Sequence, residues 1–139
     1  MLYVATALLG DDGDLERRVR LHRERRPSGW GTLEIGDLHE VLDASGGWDA
    51  VLLDSLTLWV STRYGDEEET LREFDCFLEG IEGLAVPLVL VSDEVGFGVV
   101  SESGAGRRFR DALGLVNQRA AAAAAEVHLC VAGVGLKIK

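Results

Sequence analysis

The chain of 139 residues is poor in cysteine, aromatic residues and lysine. Its two cysteines, Cys76 and Cys130, form neither a disulfide framework nor a zinc-site spacing. Both lie among apolar residues, so we expect buried, reduced thiols and a cytoplasmic location. Aromatic residues make up 6% of the chain, so the core must rest on Leu, Val and Ala. The lysines are Lys137 and Lys139, both at the far end of the chain.

Positive charge and long apolar runs are also scarce. The chain has 24 acidic and 14 basic residues and a net charge of −10. That balance argues against binding nucleic acid through a broad basic surface, so we expect no nucleic-acid partner. Neither a long apolar run nor a signal peptide is recognisable, so we expect no membrane span. The length and 47% apolar content predict one domain over residues 1–139.

Apolar runs alternate with helix-like stretches along the chain. Helices are predicted at 11–26, after Asp37, and at 56–64, 66–82 and 102–125. Strands are predicted at 2–6, 32–35, 50–54, 86–96 and 126–133, with an edge strand at 136–139. The continuous apolar runs at 50–54, 86–96 and 126–133 indicate strands buried on both faces. This order predicts an α/β fold with a mostly parallel sheet.

Three predicted strands end in polar side chains: Thr6, Asp54, and Asp93 with Glu94. Ligands of parallel α/β sheets bind beyond the carboxyl ends of the strands, so these residues are candidates for one site. The alternative, that each side chain only caps or turns its own loop, remains open. Asp54 also has the position of the carboxylate that holds magnesium in P-loop NTPases, although many strands end in Asp.

The stretch RVRLHRERRP at 18–27 concentrates positive charge around one histidine. Residues 17–26 contain six of the fourteen basic residues. On a helix, Arg18, Arg25 and Arg26 lie about one turn from His22. Nearby guanidinium groups disfavour a protonated imidazole and can hold phosphate oxygens, so the set suits attack by His22 on phosphorus. A half-buried histidine among solvated arginines is the alternative. His39 and His128 are interpreted as structural.

Several longer motifs carry a resemblance to a known family. They are LYVATA (2–7), RVRLHRERRPSGWGTLE (18–34), VLLDSLTLWV (51–60), LVSDEVGFGVV (90–100) and RRFRDALGLVNQRAAAAAAEVHLCVAG (107–133). Together they resemble the bifunctional adenosylcobinamide kinase / adenosylcobinamide-phosphate guanylyltransferase family of cobalamin biosynthesis. Asp93 and Ser101 depart from the Asn and Pro that are usual there. The resemblance implies a RecA-like P-loop NTPase fold.

The resemblance also implies a reaction and a set of site residues. The family phosphorylates adenosylcobinamide with ATP or GTP, and then transfers GMP from GTP through a GMP–histidine intermediate. His22 resembles the guanylylated histidine, and Asp54 a nucleotide and metal ligand. The matching nucleotide-binding residues are Ala5, Thr6, Ala7, Arg23, Glu24, Arg25, Arg26, Glu34 and Asp54. Mg²⁺ is expected with the nucleotide, with no prosthetic group. A homo-oligomer is expected, a trimer if the chain follows the family.

One motif of the family is missing from the front of this chain. Family members begin with a strand and a GxxxxGK[ST] loop, whose backbone N–H groups and lysine cradle phosphates. We therefore expect an N-terminally truncated domain that lacks the first strand and P-loop, has uncovered apolar surface, and is a poor enzyme alone. One alternative is a degenerate, non-catalytic relative that binds a nucleotide or a partner. Another is a P-loop-like phosphotransferase with a different substrate.

Overall fold

The computed structural model describes residues 1–6, 13–24, 26–63 and 65–139. Its helices are α1 (Gly13–Glu24), α2 (Glu40–Ala44), α3 (Leu56–Ser61), α4 (Glu67–Ile81) and α5 (Gly104–Ala123). Its strands are β1 (Leu2–Ala5), β2 (Gly31–Glu34), β3 (Val51–Asp54), β4 (Leu88–Val91), β5 (His128–Val131) and β6 (Val134–Lys137). The predicted α/β class is confirmed.

Four strands form one parallel sheet in the order β2-β1-β3-β4. In its register Ala5 lies opposite both Glu34 and Asp54, and Asp54 lies opposite Val91. The carboxyl ends of all four strands therefore meet at one edge of the sheet, as the sequence predicts.

One face of this sheet, here called the core face, is packed against helices. Leu2 and Val4 of β1 and Val51 and Leu53 of β3 are buried there. They join a cluster with side chains of α3, α4 and α5, among them Trp59, Phe74, Phe77, Leu113 and Val116. Because successive residues of a strand point to opposite faces, the intervening residues form the second face. These are Tyr3, Ala5, Thr32, Glu34, Leu52, Asp54, Val89 and Val91.

Helix starts are set by side chains that accept backbone N–H groups. Ser55, Asp66 and Ser103 cap α3, α4 and α5 by accepting from Leu58, Glu69 and Gly106 respectively. Such caps satisfy donors that have no partner within the helix. Asp37, after which a helix is predicted, accepts from the N–H of His39, and α2 begins at Glu40 without a side-chain cap among the described residues.

The prediction that residues 126–133 form a buried strand is wrong. β5 pairs antiparallel with β6 in a separate two-stranded sheet, in which Leu136 and Val134 are 60% and 69% exposed. The strand predicted within 86–96 forms as β4, but its predicted burial on both faces is wrong, because Val89 and Val91 are exposed on the second face. A continuous apolar run does not reveal whether another layer covers it. Cys76 and Cys130 are likewise exposed, contrary to expectation.

Candidate functional site

An open depression of about 620 Å³ lies where the chain passes from α1 into β2. Polar side chains from both elements and the loop between them reach it. Its lining residues are Arg23, Arg26, Pro27, Ser28, Trp30, Thr32, Leu33 and Glu34. Two of the predicted arginines and one predicted carboxylate therefore share one concave surface.

An ion pair joins the end of α1 to the end of β2. The Arg23 guanidinium donates a hydrogen bond to the Glu34 carboxylate, and both side chains are partly exposed. An exposed pair of this kind contributes little to stability, because water screens both charges. The pair can therefore open at small cost when an anion competes for the arginine.

Arg26 is held from two sides. Its guanidinium carbon lies 3.5 Å from the centroid of the Tyr3 ring, and its Nη1 donates to Thr32 Oγ1 at 3.0 Å. Its Nε is buried and has no hydrogen-bond partner among the described residues. A cation over an aromatic face is attracted by the ring quadrupole. These contacts hold the Arg26 side chain in place, while its Nε–H remains without a hydrogen-bond acceptor in the described part of the chain.

Tyr3 connects Arg26 to Asp54. The Tyr3 hydroxyl donates to Asp54 Oδ2 across neighbouring strands. Burial, and then the hydrogen bond to the Asp54 carboxylate, raise the pKa of Tyr3 to about 12. The phenol therefore remains a proton donor at neutral pH, and the Asp54 carboxylate is fixed by it.

Thr6 and Ala5 lie at the same edge, and both are buried. The Thr6 hydroxyl donates to the Ser55 carbonyl at 2.6 Å and accepts from the Ser55 N–H at 3.0 Å. The Ala5 carbonyl accepts from the N–H of Ile35. Both predicted nucleotide contacts therefore bind β1 to its neighbours within the described structure.

The acids that follow β4 belong to a hydrogen-bonded loop. The Asp93 N–H donates to Thr57 Oγ1 at 2.8 Å, and the Asp93 carbonyl accepts from Asn117 Nδ2 at 3.0 Å. The Glu94 carboxylate accepts from the N–H of Gly96. For Glu94, the structure favours the interpretation that the acid turns its own loop.

His22 lies in the last turn of α1, exposed to solvent and directly before Arg23. Glu24, the last residue of that helix, is also exposed. Ala7 and Arg25, two further predicted nucleotide contacts, lie outside the described residues. Tyr3 and Thr32 were missed by sequence reasoning. The alternation of strand residues could have indicated both, because it places them on the same face as Glu34 and Asp54.

Asp54 can serve as one ligand of magnesium, but it does not belong to a complete metal site in the described structure. Within the described ranges, no group of three or more His, Cys, Asp or Glu side chains is arranged to hold a metal ion. Mg²⁺ in phosphotransferases commonly uses one or two carboxylates together with phosphate oxygens and water. The Asp54 carboxylate therefore fits magnesium that arrives with a nucleotide, not a resident metal.

In the described part of the chain, no helix is long and apolar enough to cross a membrane.

The fold and site define an α/β protein with arginine and carboxylate side chains gathered at the carboxyl edge of a parallel sheet. The family model for cobinamide kinase / cobinamide phosphate guanyltransferase matches residues 1–138, and the chain belongs to this family. This agrees with the resemblance drawn from the motifs.

Named relatives agree with that assignment. The chain is 36% identical to the bifunctional adenosylcobalamin biosynthesis protein CobU of Escherichia coli, over all of this chain and 86% of that protein. It is 35% identical to CobU of Salmonella typhimurium with the same coverage. It is 34% identical to the bifunctional adenosylcobalamin biosynthesis protein CobP of Pseudomonas aeruginosa, over 99% of this chain and 81% of that protein.

Proposed function

We propose that the chain acts in adenosylcobalamin biosynthesis as a cobinamide kinase and cobinamide-phosphate guanylyltransferase. The observation that carries the proposal is the meeting of Arg23, Arg26 and Glu34 in one depression, immediately after His22 on the chain. Family membership supplies the substrate class. GTP, ATP and adenosylcobinamide are its proposed ligands.

In the guanylyl-transfer step, His22 is the proposed nucleophile. A ring nitrogen of the neutral imidazole attacks the α-phosphorus of GTP, a P–N bond forms, the bond to the β-phosphate oxygen breaks, and pyrophosphate leaves. A phosphate oxygen of adenosylcobinamide phosphate then attacks the same phosphorus and the P–N bond breaks. The products are adenosylcobinamide-GDP and free His22.

Arg23 and Arg26 are the proposed phosphate ligands in that step. A guanidinium matches two phosphate oxygens at once and stabilises charge that develops on them. Arg26 is already fixed by Tyr3 and Thr32, so little side-chain freedom is lost on binding. Arg23 exchanges its exposed Glu34 partner for the nucleotide.

In the kinase step, Asp54 is the proposed carboxylate for nucleotide-bound magnesium. Magnesium bound there would neutralise charge on the transferring phosphoryl group. Tyr3 orients the carboxylate, and the position of Asp54 at the end of β3 directs it toward the edge where the strands end. This step needs no histidine adduct, so it is separable from guanylyl transfer by substitution.

The chain's assembly is proposed to be homo-oligomeric. Large apolar side chains are exposed after β4 and in β6, including Phe97 at 82%, Val99 at 97% and Leu136 at 60%. Large exposed apolar side chains that lie close together on the chain, as Phe97 and Val99 do, are expected at association sites of soluble proteins. Light scattering tests this proposal: a mass above one chain supports it and a monomer contradicts it.

The test of the function is covalent labelling with GTP that carries ³²P at the α-position. The wild-type chain is expected to take up label and release pyrophosphate, more slowly than a family member that has the GxxxxGK[ST] loop, and His22→Ala is expected to do neither. His39→Ala is the matched control, because His39 is also exposed but lies at the start of α2. The phosphoramidate should be lost in acid and retained in base. Undiminished labelling of His22→Ala would refute the assignment of the nucleophile.

A further inference from the structure

Tyr3 lies between two side chains of opposite charge on the second face. The Arg26 guanidinium stacks on its ring, and the Asp54 carboxylate accepts from its hydroxyl. No ion pair joins Arg26 directly to Asp54 in the described structure, although one tyrosine side chain touches both. The ring therefore occupies the space through which the two charges would otherwise meet.

A direct ion pair at this point would compete with ligand binding. The planar fork of an arginine matches a carboxylate as well as it matches a phosphate. Once paired in a partly buried place, the guanidinium would have to give up that partner before it could hold a nucleotide. The Asp54 carboxylate, once paired, would likewise be less available to nucleotide-bound magnesium.

Arg26 keeps an N–H group that has no hydrogen-bond acceptor in the described structure. Nη1 reaches Thr32, while the buried Nε has no partner among the described residues. A buried donor without a partner costs free energy, which the side chain can recover if it shifts toward an incoming acceptor. The ring thus supports the guanidinium by stacking, and Nε remains without a partner in the part of the chain that the structure describes.

We propose that Tyr3 is a positioning residue that keeps Arg26 and Asp54 apart, so that the guanidinium stays free for nucleotide phosphate and the carboxylate is held in a fixed orientation. This rests on the proposed function, because it takes the phosphates of GTP as the ligand of Arg26. The ring and the hydroxyl have separate tasks. The ring separates and supports the cation, and the hydroxyl orients the carboxylate.

The experiment measures GTP binding by calorimetry in the absence of divalent metal, for the full chain and its variants. Tyr3→Phe keeps the ring and should bind within about twofold of wild type. Tyr3→Leu removes the ring, so that Arg26 can pair with Asp54, and should weaken binding about tenfold. Tyr3→Leu combined with Asp54→Asn removes the competing charge and should recover most of that loss. Recovery is measured relative to the effect of Asp54→Asn alone, and a merely structural role for Tyr3 predicts no such recovery.

Two results would overturn the proposal: no recovery in the double variant, or Tyr3→Phe as weak as Tyr3→Leu. Circular dichroism establishes that each variant is folded. Should Tyr3→Leu fail to fold, Tyr3→Phe still provides a test. Loss of the hydroxyl should raise the magnesium concentration for half-maximal GTP binding about threefold, and an unchanged magnesium dependence would overturn the proposal.

The proposed function fails differently. A wild-type chain that binds GTP but forms no His22 adduct would refute guanylyl transfer, and the pattern of Tyr3 variants would still stand. A wild-type chain that binds no GTP with or without magnesium would overturn both proposals.

Discussion

The two faces of the parallel sheet differ in what their side chains do, although alternate residues of the same strands form both. On the core face, Val4 and Leu53 are fully buried against helices. On the second face, Tyr3 and Asp54 share a hydrogen bond, and Val89 is 47% exposed. One strand can therefore supply stability through every second residue and chemistry through the residues between.

The largest expected effect comes from two adjacent leucines of β3. Leu53→Ala removes a fully buried side chain and should lower the free energy of unfolding by about 2 to 5 kcal/mol. Leu52→Ala, on the partly covered second face, should cost less, about 1 kcal/mol. Urea unfolding of both variants measures the difference, and equal losses in the free energy of unfolding would contradict the difference between the two faces.

Two arginines that stack on aromatic rings give the next test. Arg26 lies over Tyr3, whereas Arg63 lies 4.1 Å from the Trp59 ring centroid and bonds to Glu73 and the Gly36 carbonyl. Arg26→Ala should weaken GTP binding about tenfold with little change in stability. Arg63→Ala should instead lower the thermal midpoint and leave GTP affinity unchanged. Equal effects on GTP affinity would show that Arg26 has no special role.

The raised pKa of Tyr3 gives an alkaline test. The protonated phenol is favoured in the fold, so its contribution to stability is present below pH 10 and is lost as the pH rises toward about 12. The chain has two tyrosines. Phenolate absorbance should therefore show one component near pH 12, and Tyr3→Phe should remove it. Persistence of that component in Tyr3→Phe would contradict the assignment.

The smallest effect concerns the thiols. Cys76 and Cys130 are both exposed, so each should react with a thiol reagent in the native chain. Neither is on the second face, and modification should leave GTP binding unchanged. Labelling only after unfolding would support burial, as expected from the apolar neighbours of both residues in the sequence.

The sequence predicts β1 to β4 and the shared edge of their ends, because strand periodicity and strand-end acids are local signals. The predicted burial of 126–133 is wrong, because an apolar run does not specify what covers it, and β5 forms an exposed hairpin with β6. Arg23, Arg26 and Glu34 follow from motif and charge. The role of Tyr3 does not follow from the sequence, because it arises only when β1 and β3 pair and the chain after α1 returns over the sheet.

The most direct measurement is the location of the GMP adduct by peptide mapping after incubation with GTP. The wild-type chain is incubated with GTP and magnesium, kept in base to preserve a phosphoramidate, digested and analysed by mass spectrometry. We predict GMP on the peptide that contains His22, at that imidazole. GMP on another residue, or none under conditions in which the chain binds GTP, would contradict the account.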